Sequence, residues 1–134
     1  MILVDTNVLL DVMRDDQEWQ QWSAAALDHA AKQETLAINP IIYAELSSQF
    51  EQIEALDSSL TSLEVRISEI PKPALFLAGH AFRRYRRAGG AKSNVLSDFF
   101  IGAHAAVAGA ALLTRDTKRI RAYFPTVSLI GPAE

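Results

Sequence analysis

The strongest constraint on the fold is a short apolar run that ends in a carboxylate and is followed by a helical pattern. Ile2-Leu3-Val4 is continuously apolar, which is typical of a strand buried on both faces of a parallel sheet. Asp5 comes next, and from Val8 to Val12 apolar residues recur at helical spacing. Asp5 is therefore predicted at the carboxyl end of a strand, where open α/β sheets bind ligands. The alternative is that Asp5 or Thr6 only caps the helix by accepting its first free N–H groups.

The rest of the chain alternates short apolar strands with helical patterns. Further strands are predicted at 36–38, 65–70, 111–113 and 127–130. Helices are predicted at 19–30, from Asn39 onwards, and at 57–63, 74–87, 98–108 and 117–123. Alternation of this kind favours a parallel α/β sheet with helices on both faces. The length of 134 residues suits one domain with a core of its own, and a single domain over 1–134 is predicted.

The composition excludes several kinds of site. The chain has no cysteine, which excludes disulfides and thiolate metal sites and fits a reducing cytoplasm. The first residues show no basic segment followed by a long apolar stretch, so a signal peptide is not expected. The longest alanine-rich apolar stretch, 103–113, is too short to span a bilayer. We therefore expect a cytoplasmic protein with no membrane partner.

Charge is divided unevenly between the two halves of the chain. Residues 1–64 hold two basic and twelve acidic side chains, whereas residues 65–134 hold eleven basic and four acidic ones. This polarity suggests a basic surface for a polyanion and an acidic surface for a different partner; ordinary solvated helix faces are the alternative. Trp19 and Trp22 lie in the acidic half and indicate either core packing or a protein-binding groove.

Four carboxylates occupy comparable places at strand ends or near helix starts. Asp5 and Asp116 follow apolar strands, Asp98 begins a helix, and Glu45 lies early in another. The strand ends of a parallel sheet share one edge, so these groups are expected to converge there. Carboxylates packed together without Lys or Arg among them repel one another unless they are protonated or bridged by a cation. Because the donors are all oxygens, Mg²⁺ or Mn²⁺ is the fitting ion.

A divalent ion beside a basic surface indicates metal-dependent phosphodiester hydrolysis. The ion would lower the pKa of a bound water and neutralise charge on a phosphate oxygen. Nine of the thirteen basic side chains would hold the phosphate backbone: Arg83, Arg84, Arg86, Arg87, Lys92, Arg115, Lys118, Arg119 and Arg121. The candidates selected among them are Arg83, Arg86, Arg87, Lys92 and Lys118. Structural roles are the alternative for two of the acids, since Asp98 is favoured by the helix dipole and Glu45 can reach water at the edge of an apolar face.

Four segments carry these residues in a fixed order along the chain. They are Val4-Asp5-Thr6-Asn7-Val8-Leu9-Leu10, Pro40-Ile41-Ile42-Tyr43-Ala44-Glu45-Leu46, Ser97-Asp98-Phe99-Phe100-Ile101-Gly102-Ala103-His104-Ala105 and Leu113-Thr114-Arg115-Asp116. Together they resemble the PIN-domain ribonucleases, and closely the VapC-type toxins of bacterial type II toxin–antitoxin pairs. The resemblance spans Ile2 to Pro132. It implies a PIN-like three-layer α/β/α sandwich with a small central parallel sheet of about four to five strands.

The resemblance also implies roles for individual residues. The acidic quartet that binds Mg²⁺ or Mn²⁺ and activates water would be Asp5, Glu45, Asp98 and Asp116. Thr6 or Asn7 would support Asp5, and Thr114 would act similarly. Arg115 would contact a scissile or adjacent phosphate. Ser97 stands where the family often has proline, and it is expected to change only the helix cap.

The function implied by the resemblance is that of an endoribonuclease toxin. Such a protein would cut structured RNA, with tRNA as the expected target, and leave 5′-phosphate and 3′-hydroxyl ends. It would pair with a cognate antitoxin, form a homodimer, and assemble with the antitoxin into a larger hetero-oligomer. The alternatives are a non-catalytic PIN-like module that binds RNA or protein, and a phosphomonoesterase with an Asp nucleophile. The second usually needs another Asp two residues after the first, where this chain has Asn7.

Overall fold

Five parallel strands form the sheet in the part of the chain that the computed structural model describes, residues 1–91 and 95–133. The strands are β1 (Ile2–Val4), β2 (Leu36–Ile38), β3 (Val65–Ile67), β4 (Ala111–Leu113) and β5 (Leu129–Ile130). Their order across the sheet is β3-β2-β1-β4-β5, and each neighbouring pair is parallel. The predicted parallel sheet of four to five strands is confirmed.

Seven helices connect these strands within the described residues. They are α1 (Thr6–Met13), α2 (Gln20–Gln33), α3 (Pro40–Ser47), α4 (Ile53–Ser62), α5 (Lys72–Arg87), α6 (Leu96–Ala108) and α7 (Lys118–Tyr123). With the sheet they form the three-layer α/β/α sandwich expected from the sequence. Among residues 1–91 and 95–133, none of the helices has the length and apolar character needed to cross a bilayer.

The order of the strands creates a switch point beside β1. The chain builds β1, β2 and β3 outwards in one direction and then places β4 on the other side of β1. Val4, the last residue of β1, is in register with Leu113, the last residue of β4. The residues that follow these two strands therefore emerge next to each other, where open α/β sheets form a ligand crevice.

Helix α4 begins earlier than the sequence pattern predicted. It starts at Ile53, so the Asp-Ser-Ser segment at 57–59 lies inside the helix instead of beginning it. Leu56 and Leu60 are both buried on its inner face, and this burial outweighs the preference of Asp and Ser for a helix start. The spacing of Ile42, Leu46, Phe50 and Ile53 predicts one apolar stripe, but Ile53 is 62% exposed because it begins a new helix.

Two further expectations need correction at the edge of the sheet and on α5. β3 ends at Ile67 and not at residue 70. Among the described residues, β2 is the only strand beside β3, and Ile38, the last residue of β2, pairs with Ile67. On α5, the spacing of Leu75, Ala78, Phe82 and Tyr85 predicts one inward face, but Leu75 is exposed. Helix α5 instead buries a stripe of alanines at a spacing of three and four, formed by Ala74, Ala78 and Ala81.

Helix α6 is buried along most of its length by close packing of rings and small residues. The ring of Phe99 contacts the rings of Phe82, Tyr85, Tyr123 and Phe124, with centroid distances from 5.2 to 6.1 Å. One turn further along α6, the ring of Phe124 lies against the backbone at Gly102. This packing holds the start of α6, and with it Asp98, next to α7.

We expect Gly102→Ala to destabilise the protein by about 1–3 kcal/mol, since it adds a methyl group to a filled space. A Cβ at Gly102 would lie 2.7 Å from Cε2 of Phe124. The matched control is Gly79→Ala on α5, where a Cβ meets nothing within 4 Å. That change should stabilise the protein by up to about 1 kcal/mol through helix propensity. Urea unfolding measures both effects, and equal effects would contradict the close packing of α6 on Phe124.

Candidate active site

A cleft of about 230 Å³ opens at the switch point between β1 and β4. Its wall is formed by Asp5, Thr6, Asn7, Leu10, Glu45, Asp98, Ile101, Asp116, Arg119 and Ile120. The cleft thus brings together the four acids singled out in the sequence, with Thr6 and Asn7 beside them.

Asp5 lies just after β1 and is held by two short hydrogen bonds. Its Oδ1 accepts from the backbone N–H of Thr6 at 2.8 Å, so Asp5 caps α1. Its Oδ2 accepts from Oγ1 of Thr114 at 2.7 Å, and Nδ2 of Asn7 lies 3.4 Å from the same oxygen. The capping role and the place in the cleft occur together, so the two interpretations of Asp5 are not exclusive.

Glu45 accepts hydrogen bonds from hydroxyl groups on two other helices. Its Oε1 accepts from Oγ1 of Thr6 at 2.6 Å, and its Oε2 accepts from Oγ of Ser97 at 3.2 Å. The expectation that Ser97 affects only the helix cap was wrong, because α6 begins at Leu96 without a side-chain cap. Ser97 is instead a partner of an acid in the cleft, and no short sequence pattern indicates this contact across 52 residues.

A buried polar pair fixes the helix that carries Glu45 against the helix that carries Asp98. Oδ1 of Asn39 accepts from the backbone N–H of Ile42 at 3.0 Å and caps α3, as predicted. Nδ2 of Asn39 therefore donates to Nδ1 of His104 on α6, at 3.2 Å. Burial lowers the pKa of His104, which keeps the imidazole neutral and able to accept this bond.

Asp98 forms an ion pair inside the cleft. Its Oδ2 accepts from Nη1 of Arg119 on α7 at 2.7 Å, and both side chains are partly buried. One cation therefore lies among the acids and offsets part of their mutual repulsion. Arg119 follows Asp116 by three residues at the start of α7, and this spacing is the sequence signal that could have placed it in the cleft.

The loop between β4 and α7 supplies Thr114 and Asp116. Thr114 is buried, and its hydroxyl donates to Asp5 while accepting from the backbone N–H of Asp116 at 3.1 Å. Asp116 is exposed and lines the cleft. One hydroxyl group therefore links the two acids that follow β1 and β4.

Arg115 lies outside the wall of the cleft. Its Nε and Nη2 donate to Oδ2 and Oδ1 of Asp11 at 2.7 and 3.0 Å, and its guanidinium carbon lies 4.9 Å from the ring centre of Trp19. Its backbone N–H donates to Oδ1 of Asn7 at 3.2 Å. The structure thus places Arg115 as a brace between the β4–α7 loop and α1, away from the position expected for a phosphate contact.

Two acids in the cleft have raised pKa values, mainly because they are buried. Burial raises the pKa of Asp5 from 3.8 to about 6; the charges of Asp98 and Glu45 add to the increase, and the hydrogen bonds that Asp5 accepts oppose it. Burial also raises the pKa of Asp98 against the neighbouring guanidinium, with further contributions from Glu45 and Asp116. The four carboxylates are therefore close enough to repel one another.

Comparison with known proteins decides the family. A model of the PIN domain matches residues 2–125, which is nearly the whole chain. This chain belongs to the PIN-domain family. The resemblance stated from the four sequence segments is thereby confirmed. No curated protein sequence matches this PIN domain.

Several solved structures similar to this PIN domain are of toxin–antitoxin complexes. A chain of VapBC2 from Rickettsia felis, bound to a DNA fragment from their promoter, is 24% identical, with 98% of each chain covered and a TM-score of 0.73. A chain of a toxin–antitoxin complex from Klebsiella pneumoniae is 25% identical, with 100% and 99% covered and a TM-score of 0.70. A chain of VapBC-1 from nontypeable Haemophilus influenzae is 19% identical, with 98% of each covered and a TM-score of 0.72.

The donor set in the cleft fits a hard divalent cation, as PIN nucleases typically use. Four carboxylates and one guanidinium line the cleft, and oxygen donors of this kind suit Mg²⁺ or Mn²⁺. Within residues 1–91 and 95–133, no three Asp, Glu or His side chains already surround a single ion position. Mg²⁺ commonly keeps several waters and takes one or two carboxylates in place of a full protein cage, so a partly open donor set suits it.

We expect the stability of the metal-free PIN domain to fall between about pH 4 and pH 6 through Asp5. The folded state holds the proton of Asp5 up to about pH 6, whereas the unfolded chain releases it near 3.8, so this contribution to folding is lost as the pH rises through that window. The shift corresponds to about 3 kcal/mol. Asp5→Asn should therefore be the more stable protein at pH 7 and nearly equal to the natural protein at pH 4.

Thermal unfolding at the two pH values, with and without Mn²⁺, measures this effect. Mn²⁺ should raise the melting temperature of the natural protein at pH 7 more than at pH 4, because protons compete for the same oxygens. The increase should be much smaller in Asp5→Asn. An equal response to Mn²⁺ in the two proteins would show that Asp5 is not at the cation site.

The basic residues expected at the RNA backbone occupy two places. Arg83, Arg86 and Arg87 are exposed on the last turns of α5, and Lys118 is exposed at the start of α7. Lys92 lies outside the residues that the structure describes. A phosphate contact by any of these residues remains a prediction.

Proposed function

We propose that this PIN domain is a metal-dependent endoribonuclease and the toxin of a toxin–antitoxin pair. The observation that carries the proposal is one cleft at the sheet's switch point lined by Asp5, Glu45, Asp98 and Asp116. Burial and the charges of neighbouring acids raise the pKa values of Asp5 and Asp98, although Asp98 is paired with Arg119. Such a cluster is stabilised by a bound cation.

The hydroxyl groups of the cleft orient the acids. Thr6 and Ser97 each donate to one oxygen of Glu45, and Thr114 donates to Asp5. The four acids would hold Mg²⁺ or Mn²⁺, which when bound lowers the pKa of water and neutralises charge on a phosphate oxygen. Supporting hydrogen bonds fix the directions of the carboxylate oxygens before substrate enters, which preserves metal affinity.

Arg119 is the residue to which we assign the phosphate contact that the family resemblance implied for Arg115. Its guanidinium lines the cleft beside Asp98, and a guanidinium matches the geometry of phosphate oxygens. Water would attack the phosphorus in line, and the bond between phosphorus and the 3′ oxygen would break. The products would carry 5′-phosphate and 3′-hydroxyl ends.

The proposal includes an antitoxin as the protein partner. The similar chain from Klebsiella pneumoniae comes from a toxin–antitoxin complex and aligns along its whole length. The acidic half of this chain, with Trp19 and Trp22 before and within α2, is the proposed docking surface. The homodimer, the larger hetero-oligomer with antitoxin, the cytoplasmic location and a structured RNA target such as tRNA also belong to the proposal.

The decisive experiment is RNA cleavage by purified protein that is free of any antitoxin. Total cellular RNA is incubated with the protein in Mn²⁺, in Mg²⁺ and in EDTA, and the fragment ends are sequenced. We expect discrete fragments with 5′-phosphate ends that disappear in EDTA. If RNA is bound but not cut with either ion, and calorimetry shows no metal binding, the non-catalytic binding module replaces the nuclease.

A further inference from the structure

Asp98 differs from two other acids of the cleft in the charge of its partner. Asp5 accepts from a backbone N–H and a threonine hydroxyl, and Glu45 accepts from two hydroxyl groups. These donors are all neutral, whereas Asp98 accepts from the guanidinium of Arg119 at 2.7 Å. A cation that binds Oδ2 of Asp98 must therefore share this oxygen with a positive charge, and the two cations repel each other.

The ends of these two side chains can be reached without opening the fold. The side chains of Ile120 and Phe124 lie against Gly102 of α6, and this packing fixes α7 on α6. The side chain of Arg119 is nevertheless 24% exposed, and that of Asp98 is 33% exposed. An anion from solution can thus reach Arg119, and a cation can reach Asp98, while the two helices stay in place.

Arg119 also has a contact on the side away from the cleft wall. It borders an adjoining groove whose wall includes Tyr85, a residue that is not part of the cleft wall. The guanidinium carbon of Arg119 lies 5.9 Å from the centre of the Tyr85 ring, within the range in which an aromatic ring attracts a cation. A guanidinium that releases Asp98 can therefore keep this contact.

We propose that Arg119 makes cation binding and RNA binding depend on each other by exchanging Asp98 for a phosphate of the RNA. While it is paired with Asp98, the guanidinium weakens the affinity of the cleft for Mg²⁺ or Mn²⁺. When the guanidinium binds a phosphate instead, Oδ2 of Asp98 becomes free for the cation. The coupling is reciprocal, as binding equilibria require. This inference rests on the proposed ribonuclease function and adds to it a reason for the cleft to bind its cation more tightly in the presence of RNA.

Calorimetric titration with Mn²⁺ in the absence of RNA tests the first half of this exchange. Arg119→Gln should bind Mn²⁺ roughly tenfold more tightly than the natural protein, because one nearby charge changes the proton affinity of a carboxylate by at least about tenfold. The matched control is Lys118→Gln, which removes the same charge from the neighbouring exposed position. Salt screens an exposed charge, so the control should change the affinity by less than about twofold. Arg119→Lys keeps the charge and should bind Mn²⁺ like the natural protein.

A double-variant cycle in EDTA tests the second half of the exchange without metal or cleavage. The probe is a short fluorescein-labelled RNA, and fluorescence anisotropy with the full chain reports its affinity. Asp98→Asn frees the guanidinium of Arg119 in the natural protein, but in the Arg119→Gln protein there is no guanidinium to free. The increase in RNA affinity caused by Asp98→Asn should therefore be about fivefold larger in the natural background than in the Arg119→Gln background.

Cleavage at saturating Mn²⁺ distinguishes the exchange from a structural role of Arg119. Arg119→Gln should cut RNA more slowly, because it lacks the phosphate contact, although it binds Mn²⁺ more tightly. Loss of a merely structural contact would lower both the cleavage rate and the affinity for Mn²⁺.

The outcomes separate the exchange from the nuclease. Equal Mn²⁺ affinities of Arg119→Gln and the natural protein, or equal increases in Arg119→Gln and Lys118→Gln, would overturn the exchange even if the protein cuts RNA. Equal effects of Asp98→Asn on RNA affinity in the two backgrounds would also overturn it. The expected differences in Mn²⁺ and RNA affinity in a protein that cuts no RNA would support the exchange and overturn the ribonuclease.

Discussion

Asp5→Asn is expected to lower RNA cleavage by more than about 100-fold while the protein stays folded. Even the outer partners of a metal ligand commonly contribute 10–100-fold, and Asp5 would be a ligand itself. The amide fits the same space, because its oxygen can accept from the N–H of Thr6 and its NH₂ can donate to the hydroxyl of Thr114, where the carboxylate now accepts. The loss would therefore come from the missing charge and not from a changed shape.

The control for this experiment is Asp28→Asn, the same chemical change on the exposed face of α2. The side chain of Asp28 is 73% exposed, where it pairs with Lys32, and an exposed pair of this kind contributes little to stability. Single-turnover cleavage of one defined RNA, with circular dichroism to verify folding, compares the two variants. Cleavage retained in a folded Asp5→Asn protein would place the catalytic centre elsewhere.

Asp98→Asn should have a similar effect on cleavage for a partly different reason. Asp98 pairs with Arg119, so this change removes a carboxylate and also weakens the hold on the proposed phosphate contact. The affinity for RNA in EDTA should rise as one repelling charge is lost, while cleavage with metal falls. A rise in RNA affinity together with a loss of cleavage distinguishes a residue of the metal site from one that only binds RNA.

The positions of the acids on the sheet could be predicted from local pattern alone. An apolar run followed by a carboxylate occurs at Asp5 and again shortly before Asp116, and a parallel sheet places both at the same edge. The cap at Asn39 and Pro40 was also predictable, because capping depends on neighbouring backbone groups. Features that follow from the period of a strand or helix are thus contained in short windows of sequence.

The contacts between distant segments could not be predicted in this way. Ser97 donates to Glu45 across 52 residues, and Arg115 binds Asp11 across 104 residues. Nothing in the helical period shows that Asp11, in the apolar part of α1, forms an ion pair with a residue of the β4–α7 loop. These partners depend on the strand order, which periodicity does not specify.

The largest loss of stability is expected from Arg115→Ala. Asp11 is only 3% exposed, and it accepts two bonds from Arg115 and one from Oγ of Ser23 at 2.7 Å. Removing the guanidinium leaves a buried carboxylate without its cation, which typically costs about 3–5 kcal/mol. For a chain of this length the melting temperature should fall by about 10–20 °C. Arg87→Ala, at the exposed end of α5, is the matched control.

The partner variant Asp11→Ala decides whether Arg115 braces the loop or contacts RNA. Arg115 holds the β4–α7 loop through Asp11 and through its own backbone bond to Asn7, and this loop carries Asp116. If Arg115 is a brace, Asp11→Ala frees the guanidinium but loosens the loop, and cleavage falls as it does in Arg115→Ala. If Arg115 binds phosphate, freeing it should strengthen RNA binding in Asp11→Ala. We expect the first result, and a double variant that replaces both residues should lose less stability than Arg115→Ala alone, because no unpaired buried charge is left behind.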